Sequence, residues 1–347
     1  MSSETKHCKI IVTVTDDFDH IDESSFDDFV AMYNGPIFYR SSFLKATHKY
    51  DLLPIDSRRY LWAHRGEHLV GFTPSYRMKN FDPFGVLQTT SGILFPPEAI
   101  GWLSHIMHFY ESTIVCNRND DEVREHMLNA LYELCVNDEG SCCGIINVVD
   151  EPLIQLSRSL DWKVSYMWDR YYIDFSEIHS MLEFYATLDR YGRNEIRRQV
   201  RKFEESNSYC QIFHPPFSNL EEIAELCFLT IKKNGTPQYY PAKNFKNFVE
   251  SIGESVLIFG IFNCERLVGA LVCFEKDDTL HLWAGGMIYD HSSFSPYTML
   301  FYHAYEYVIK NKLLRLEAGR TNKKIKERLG FKPKALYSIL KVNSDKE

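Results

Sequence analysis

No stretch of this 347-residue chain approaches the roughly 20 consecutive apolar residues that a membrane-spanning helix needs. The opening Met-Ser-Ser-Glu-Thr-Lys lacks the charged-then-apolar pattern of a secretory leader. The nine cysteines include no Cys-x-x-Cys pair, which leaves no zinc ribbon and no dithiol redox motif, and an odd count fits no closed disulfide framework. The adjacent Cys142-Cys143 reads as two small core residues at a strand start, kept reduced. There is no Gly-x-Ser-x-Gly elbow, no Gly-x-x-x-x-Gly-Lys-Ser/Thr phosphate loop and no His-Glu-x-x-His. His64/His68 and His105/His108 have metal-like spacings, but without the intervening Glu they read as surface or core histidines. These absences set the expectation of a cytoplasmic, metal-free protein with no membrane span.

Composition allows a sizeable core. Hydrophobic residues make up 45% of the chain, and 21 Tyr and 24 Phe supply large burial per side chain. At this length two domains are expected rather than one. The net charge of −8 excludes a wholly basic nucleic-acid binder, but the charge is uneven. Residues 1–30 hold eight acidic side chains and two lysines, whereas residues 310–334 hold ten Lys/Arg against Glu317 and Glu327. A local basic face on an acidic protein suits a phosphate-bearing ligand; solvated helix faces are the plainer alternative.

The chain is organised around Leu280–Phe331. Thr279–Ala284 alternates as a strand, and Gly285-Gly286 is expected to break it. Ser295 can cap a helix with Pro296 in its first turn, and Leu300, Phe301, Ala304, Tyr305 and Val308 form its apolar face. Leu313–Ala318 is a second strand, and Thr321 is expected to cap a short basic helix that stops at Gly330. A helix N-terminus fed by a strand presents unpaired amides that can take up an anion. Upstream, Leu220–Lys232 and Lys243–Ile252 read as helices, and Val256–Phe262, Leu267–Phe274 and Thr279–Ala284 as a three-strand meander.

The first half repeats this order. Lys9–Thr15 reads as strand, Ser24–Tyr33 and Ser41–Tyr50 as helices, and Arg59–His64 with Leu69–Tyr76 as a hairpin. Val86–Thr90 reads as a third extended run, Pro96-Pro97 as the opening of a helix to about Tyr110, and Thr113–Cys116 as a short strand. Asp121–Val136 is an amphipathic helix, Gly144–Val149 strand, Pro152–Leu160 helix and Lys163–Phe175 strand. Leu69-Val70-Gly71 matches Leu267-Val268-Gly269, and Leu160-Asp161-Trp162 falls where the second half has Leu329-Gly330-Phe331. Between the halves, Ser176–Leu188 and Arg190–Glu205 read as helices. The second carries Arg193, Arg197 and Arg201 on one face, and His214-Pro215-Pro216-Phe217 follows as a linker. The expected domains are therefore 1–175, a basic connector 176–217, and 218–347.

The order helix, helix, three strands, helix, strand, helix, strand resembles the GNAT acyltransferase fold. The ending Gly319-Arg320 … Lys326-Glu327-Arg328-Leu329-Gly330-Phe331 and the basic run Arg190–Phe203 resemble, more narrowly, the Fem-type branch of that superfamily. The resemblance implies an α/β (α+β) fold of two tandem GNAT-like domains, each a mixed, mostly antiparallel twisted sheet flanked by helices. It implies attack of an amine on an activated acyl carbon, with acyl-CoA, an acyl-carrier protein or an aminoacyl-tRNA as co-substrate and no tightly bound cofactor. The acceptor would be a small-molecule or peptide amine.

Three tasks follow for the site. A developing oxyanion needs donors in place. The resemblance assigns this to the backbone around Trp283, Gly285 and Gly286, with Lys326 steadying charge. The donor's anionic handle is expected at Ser295, Tyr297 and Thr298, with Arg320, Lys323 and Lys324 nearby, and Arg193, Arg197 and Arg201 as a phosphate or tRNA clamp. The amine must lose a proton, for which His281, His303, Glu317, Asp290 and Tyr302 are candidates and nothing in the sequence chooses. The sequence departs from the superfamily in lacking the glycine-containing pyrophosphate loop between Tyr289 and Thr298, and from Fem-type chains in having Ile325 where Tyr commonly precedes the Lys. The acceptor-binding residues of cell-wall relatives do not map onto the first half, so no peptidoglycan substrate is assigned. A second expectation is a non-catalytic GNAT-like scaffold that binds an anionic partner through its basic face.

Overall fold

In both halves of the chain the matching Leu-Val-Gly triplet forms the same local structure. Leu69 pairs with His64 and Gly71 with Ala63, which leaves Val70 as an extra residue; Leu267 pairs with Phe262 and Gly269 with Ile261, which leaves Val268 extra. A bulge at one equivalent place in two hairpins re-aims both strands alike, and it marks the repeat in three dimensions. The computed structural model describes residues 9–18, 21–104, 109–237 and 239–343. They form two compact units, Met1–His48 with Pro54–Trp168 and Ala335–Glu347, and Lys49–Leu53 with Asp169–Lys334.

The first unit runs β1 (Ile10–Thr15), α1 (Glu23–Met32), α2 (Ser41–Lys49), β2 (Ser57–Arg65), β3 (His68–Lys79), α3 (Val86–Ser91), β4 (Ile100–Ser104), β5 (Val115–Cys116), α4 (Asp121–Asn137), β6 (Cys142–Val148), α5 (Glu151–Ser159) and the start of β7 (Lys163–Asp174). The second begins at Asp169 of β7. It continues with α6 (Met181–Thr187), α7 (Arg190–Glu204), β8 (Ser208–Phe213), α8 (Leu220–Lys233), α9 (Ala242–Ile252), β9 (Val256–Asn263), β10 (Arg266–Lys276), β11 (Thr279–Met287), α10 (Pro296–Lys310), β12 (Arg315–Ala318) and α11 (Lys323–Arg328), and reaches β13 (Lys332–Val342). The sheet of the first unit has the order β1-β2-β3-β4-β6 and ends on β13; that of the second has the order β8-β9-β10-β11-β12 and ends on β7. Each has one parallel pair, β4 with β6 and β11 with β12, among antiparallel neighbours. The chain thus has the mixed, mostly antiparallel tandem GNAT-like fold expected from its sequence.

The core of the second unit lies under α10. Met299, Leu300, Phe301, Ala304, Tyr305 and Val308 face Leu280, Leu282, Leu316 and Ala318 of the sheet, the 3.6-residue stripe meeting the two-residue alternation. The first unit is built the same way, with Val123, Met127, Leu128 and Leu131 of α4 over Ile145 and Val148. No helix among the described residues is long and apolar enough to cross a membrane.

Several local expectations need correction. Gly285-Gly286 does not break β11, which pairs through both glycines to Met287. The glycine is needed for close approach, because a Cβ on Gly286 would lie 2.4 Å from the backbone of Leu226 in α8. Val86–Thr90 is helix, not strand: Asp82 accepts the Gln88 N–H (2.8 Å), Thr90 and Ser91 bond back to Val86 and Leu87, and Gly92 closes the turn at φ 75°. These local bonds outweigh the strand preference of the β-branched residues. The helix expected from Pro96 to Tyr110 is replaced by β4, which occupies the slot between β3 and β6; residues 105–108 of that span, with the His105/His108 pair, lie outside the described residues. α6 starts late, at Met181, where Ser180 accepts from the Glu183 N–H and Glu183 accepts from the His179 N–H. The cap of α11 is Asn322 at φ 64°, not Thr321. β8 falls between the basic helix and the His214 linker, where no strand is expected from the sequence.

Candidate active site

The parallel pair in the second unit is short. β11 and β12 pair from Thr279–Arg315 to Leu282–Ala318, and β11 then continues alone on that side to Met287. At the parting, Val272 opposes Ala284 while Cys273 opposes Leu282, so Trp283 is the extra residue of a bulge. A bulge takes backbone groups out of the regular ladder. The indole is held on one side of the sheet by Phe245 (5.5 Å, stacked), Tyr240 (5.2 Å), Phe248 (5.6 Å) and Phe274 (5.1 Å).

Across the gap, β12 ends and the chain turns through Gly319 and Arg320 into α11. Lys326 lies on the inner face of α11 and is 4% exposed. Its Nζ donates to the Gly319 carbonyl and sits 5.3 Å from the centre of the Tyr171 ring. Among the described residues no carboxylate pairs with it. Burial without a counter-charge penalises the ammonium form, and the neighbouring Arg320 adds repulsion; together they bring the Lys326 amine down to about 7. Burial likewise lowers Arg320 to about 10, partly offset by Tyr240. Tyr240 in turn is raised by burial. Lys326 thus neighbours Tyr171 and Arg320, Arg320 neighbours Tyr240, and Tyr240 packs on Trp283, a chain of contacts around the place where the two strands part.

α11 is seated from outside by α7. A Cβ on Gly192 would lie 2.1 Å from the Arg328 carbonyl oxygen, so only glycine lets the two backbones touch there. On its other side α11 is met by α10, where the Tyr305 hydroxyl donates to the Leu329 carbonyl (3.1 Å) and Phe301 packs edge-on to Phe331 (5.3 Å). These contacts fix the height of Lys326 above the sheet.

The other sequence candidates are dispersed. His281 pairs in register with Glu317, and both are buried. Glu317 is gripped by Arg315 (2.6 Å) and Arg170 (3.5 Å), with Arg315 over the Tyr172 ring (4.2 Å). Strand alternation puts Arg170, Tyr172 and Glu317 on the side of the sheet opposite Tyr171 and Lys326. His303 lies on the far side of α10 from Phe301 and Tyr305, where its Nδ1 meets Glu306 (2.8 Å) and its ring packs on Phe203 (5.4 Å). Tyr302 lies beside it and is raised by burial and Glu306. Asp290 is exposed in the loop after β11.

At the start of α10, Ser295 Oγ accepts the Thr298 N–H (3.3 Å), and the Ser295 N–H is given to Gln199 Oε1 of α7 (2.7 Å). Thr298 is buried, and Tyr297 stacks on Phe301 (4.5 Å) with its hydroxyl bonded to Asn322. Gly285 and Gly286 lie on β11 against β10 and α8. Lys323 is exposed and paired with Glu327 (3.8 Å), and Lys324 is exposed. On α7, Arg193 is half-buried, Arg197 stacks on Tyr185 (5.1 Å) and Arg201 pairs with Glu205 (3.8 Å).

Tyr171 and Tyr240 do not stand out in the sequence. Tyr171 belongs to a strand that a division at residue 175 assigns to the first half. Tyr240 carries one signal, two tyrosines ahead of Pro241. In the first unit the residue three before the matching Leu is Ser157, whose hydroxyl simply donates to the Leu153 carbonyl (2.7 Å). Nearby, the fully buried Arg124 bridges Asp121 (3.1 Å) and Asp150 (3.8 Å) at the starts of α4 and α5. The cation-lined parting is thus a feature of the second unit. No group of three or more His, Cys, Asp or Glu side chains among the described residues could hold a metal ion.

Comparison with known proteins identifies the family and the fold. A family model for FemAB-like proteins, described as peptidoglycan biosynthesis/recognition, matches residues 112–346, and the chain belongs to that family. The crystal structure of FemX superposes with a TM-score of 0.64 at 11% identity, covering 94% of this chain and 96% of that one. L-PGS from Bacillus licheniformis gives 0.57 at 10% identity with 91% of each chain covered. A tandem GNAT protein from the clavulanic acid biosynthesis pathway gives 0.56 at 11% identity, covering 96% and 98%. At such identities the shared feature is the tandem GNAT fold. A search of curated proteins finds no match. Family and fold together support a transferase of the acyl or aminoacyl kind.

Proposed function

We propose that this chain is an N-acyltransferase that moves an acyl or aminoacyl group from an activated donor to the amine of a small-molecule or peptide acceptor, with the second unit as its catalytic half. The observation that carries the reading is Lys326: a buried amine, with no carboxylate partner among the described residues, bonded to the Gly319 carbonyl where the chain leaves β12. As the amine nitrogen attacks the acyl carbon, the carbonyl oxygen gains charge. In this reading the protonated fraction of Lys326 and the backbone at the Trp283 bulge stabilise that charge, as donors in a site of low polarity count most. Arg320 adds positive potential without needing to move.

The covered start of α10 bears on the donor. Because the Ser295 amide is already given to Gln199, the donor's phosphate handle is assigned to Arg320, Lys323, Lys324 and the arginines of α7. That arrangement favours a large donor such as aminoacyl-tRNA or an acyl-carrier protein over coenzyme A alone. Incubating the protein with charged tRNA, and separately with acyl-CoA, and following which loses its acyl group to an added amine, tests the reading. Loss from neither donor in the presence of varied amines would favour the alternative, a scaffold that binds an anionic partner.

A further inference from the structure

Lys326 has a second chemical capacity. A lysine becomes a nucleophile when it is desolvated and placed next to another cation, because both effects disfavour its protonated form. Lys326 meets both conditions: it is buried on the inner face of α11, and Arg320 adjoins it from the turn after β12. The other groups around it are the Gly319 carbonyl and the Tyr171 ring of β7. The nearby carboxylate of β12, Glu317, lies across the sheet and is held by Arg315 and Arg170. The lysines beside it on α11 differ: Lys323 is exposed and paired with Glu327, and Lys324 is exposed.

We propose that Lys326 is itself an acyl acceptor, a self-acylation site for activated esters and thioesters when no acceptor amine is present. The neutral Nζ attacks the donor's carbonyl carbon and an N–C bond forms. The carbon–sulfur or carbon–oxygen bond breaks, its electron pair leaves with the thiol or alcohol, and that group takes up the proton lost by Nζ. The product is an uncharged Nε-acyl-lysine, which removes the cation from the parting of β11 and β12. Acyl transfer then stops, so the reaction shuts the site down when donor outruns acceptor. The inference rests on the acyltransferase reading for that consequence, but not for the reactivity of the lysine.

The test uses the whole chain and p-nitrophenyl acetate. Release of p-nitrophenolate should show a stoichiometric burst, and peptide mapping should find acetyl on Lys326 that survives hydroxylamine. Thioesters on cysteine, including the exposed Cys264, do not survive that treatment. At pH 7 acetylation of Lys326 should be at least about tenfold faster than that of Lys323 or Lys324, since an ordinary lysine is only about one part in three thousand neutral there. Its rate should level off above a midpoint near pH 7. Lys326→Arg should lose the burst. Acetyl on the surface lysines but not on Lys326, or a rate that climbs only toward pH 10, would overturn the proposal. An intact burst in a protein that transfers acyl groups to no amine would support it while overturning the acyltransferase reading.

Discussion

Replacing Lys326 with methionine should make the protein more stable, and by an amount that depends on pH. The amine titrates near 7 in the folded protein against an ordinary value of 10.5, because it is buried and lies beside Arg320. The unfolded chain therefore holds this proton across a window in which the folded chain has released it. Unfolding takes up a proton there, so stability rises with pH from about 7 toward 10. Each pKa unit is worth about 1.4 kcal/mol, so the full cost of keeping this lysine is on the order of 4–5 kcal/mol below pH 7. Methionine has a similar length and no charge, and should recover roughly 2–4 kcal/mol at pH 7 after allowing for imperfect packing. The assay is urea unfolding of the natural protein and Lys326→Met at several pH values from 6.5 to 9. Their difference should be largest at the acid end and shrink by about 1.4 kcal/mol per pH unit above 7. Curves that differ by the same amount at every pH, or a variant less stable throughout, would refute the reasoning. A stabilising change that abolishes transfer would mark Lys326 as a residue kept for chemistry at the expense of the fold.

Other substitutions test the surrounding architecture. Gly192→Ala places a Cβ 2.1 Å from the Arg328 carbonyl oxygen, so α7 or α11 must shift; despite alanine's better helix propensity, a loss of about 1–3 kcal/mol is expected in thermal or denaturant unfolding. An unchanged midpoint would show that the two backbones do not touch there. Glu317→Gln leaves Arg170 and Arg315 without their shared carboxylate and should cost roughly 3–5 kcal/mol, read by denaturant titration. A variant with full stability and no transfer would instead make Glu317 part of the chemistry. Changing Arg193, Arg197 and Arg201 together to alanine should weaken binding of charged tRNA and flatten its salt dependence by about 0.7–0.9 for each phosphate left without its cation, measured by filter binding; an unchanged slope would remove α7 from the donor surface.

Much of the fold is legible in the sequence because local and long-range signals agree. The hairpins are bounded by turn residues, and the stripe of α10 matches the strands beneath it. The Leu-Val-Gly match, which as sequence could be a coincidence of hydrophobic hairpins, proves to be two equivalent bulges at Val70 and Val268. The errors fall where tertiary structure overrides propensity. Gly285 and Gly286 read as a break, yet the missing side chain at Gly286 is what lets α8 lie against the strand. β4 follows two prolines that resemble a helix start, and its strand character comes from the slot between β3 and β6. At the site, Lys326 and Arg320 stand out in the sequence, but that no carboxylate among the described residues pairs with the lysine is a fact of packing. Tyr171 is hidden because the strand that carries it completes the sheet of the second unit. The general-base candidates are named by residue type, and type does not reveal that Glu317 is committed to two arginines or that His303 faces away from α11.

The most direct measurement is the rate of acyl transfer to an amine by the natural protein and by Lys326→Ala, each with a saturating activated donor. Loss of a preplaced oxyanion donor should lower turnover by about a hundredfold to a thousandfold while donor binding stays intact. Equal turnover by the two proteins would contradict a catalytic Lys326, and with it the placement of the chemistry at the parting of β11 and β12.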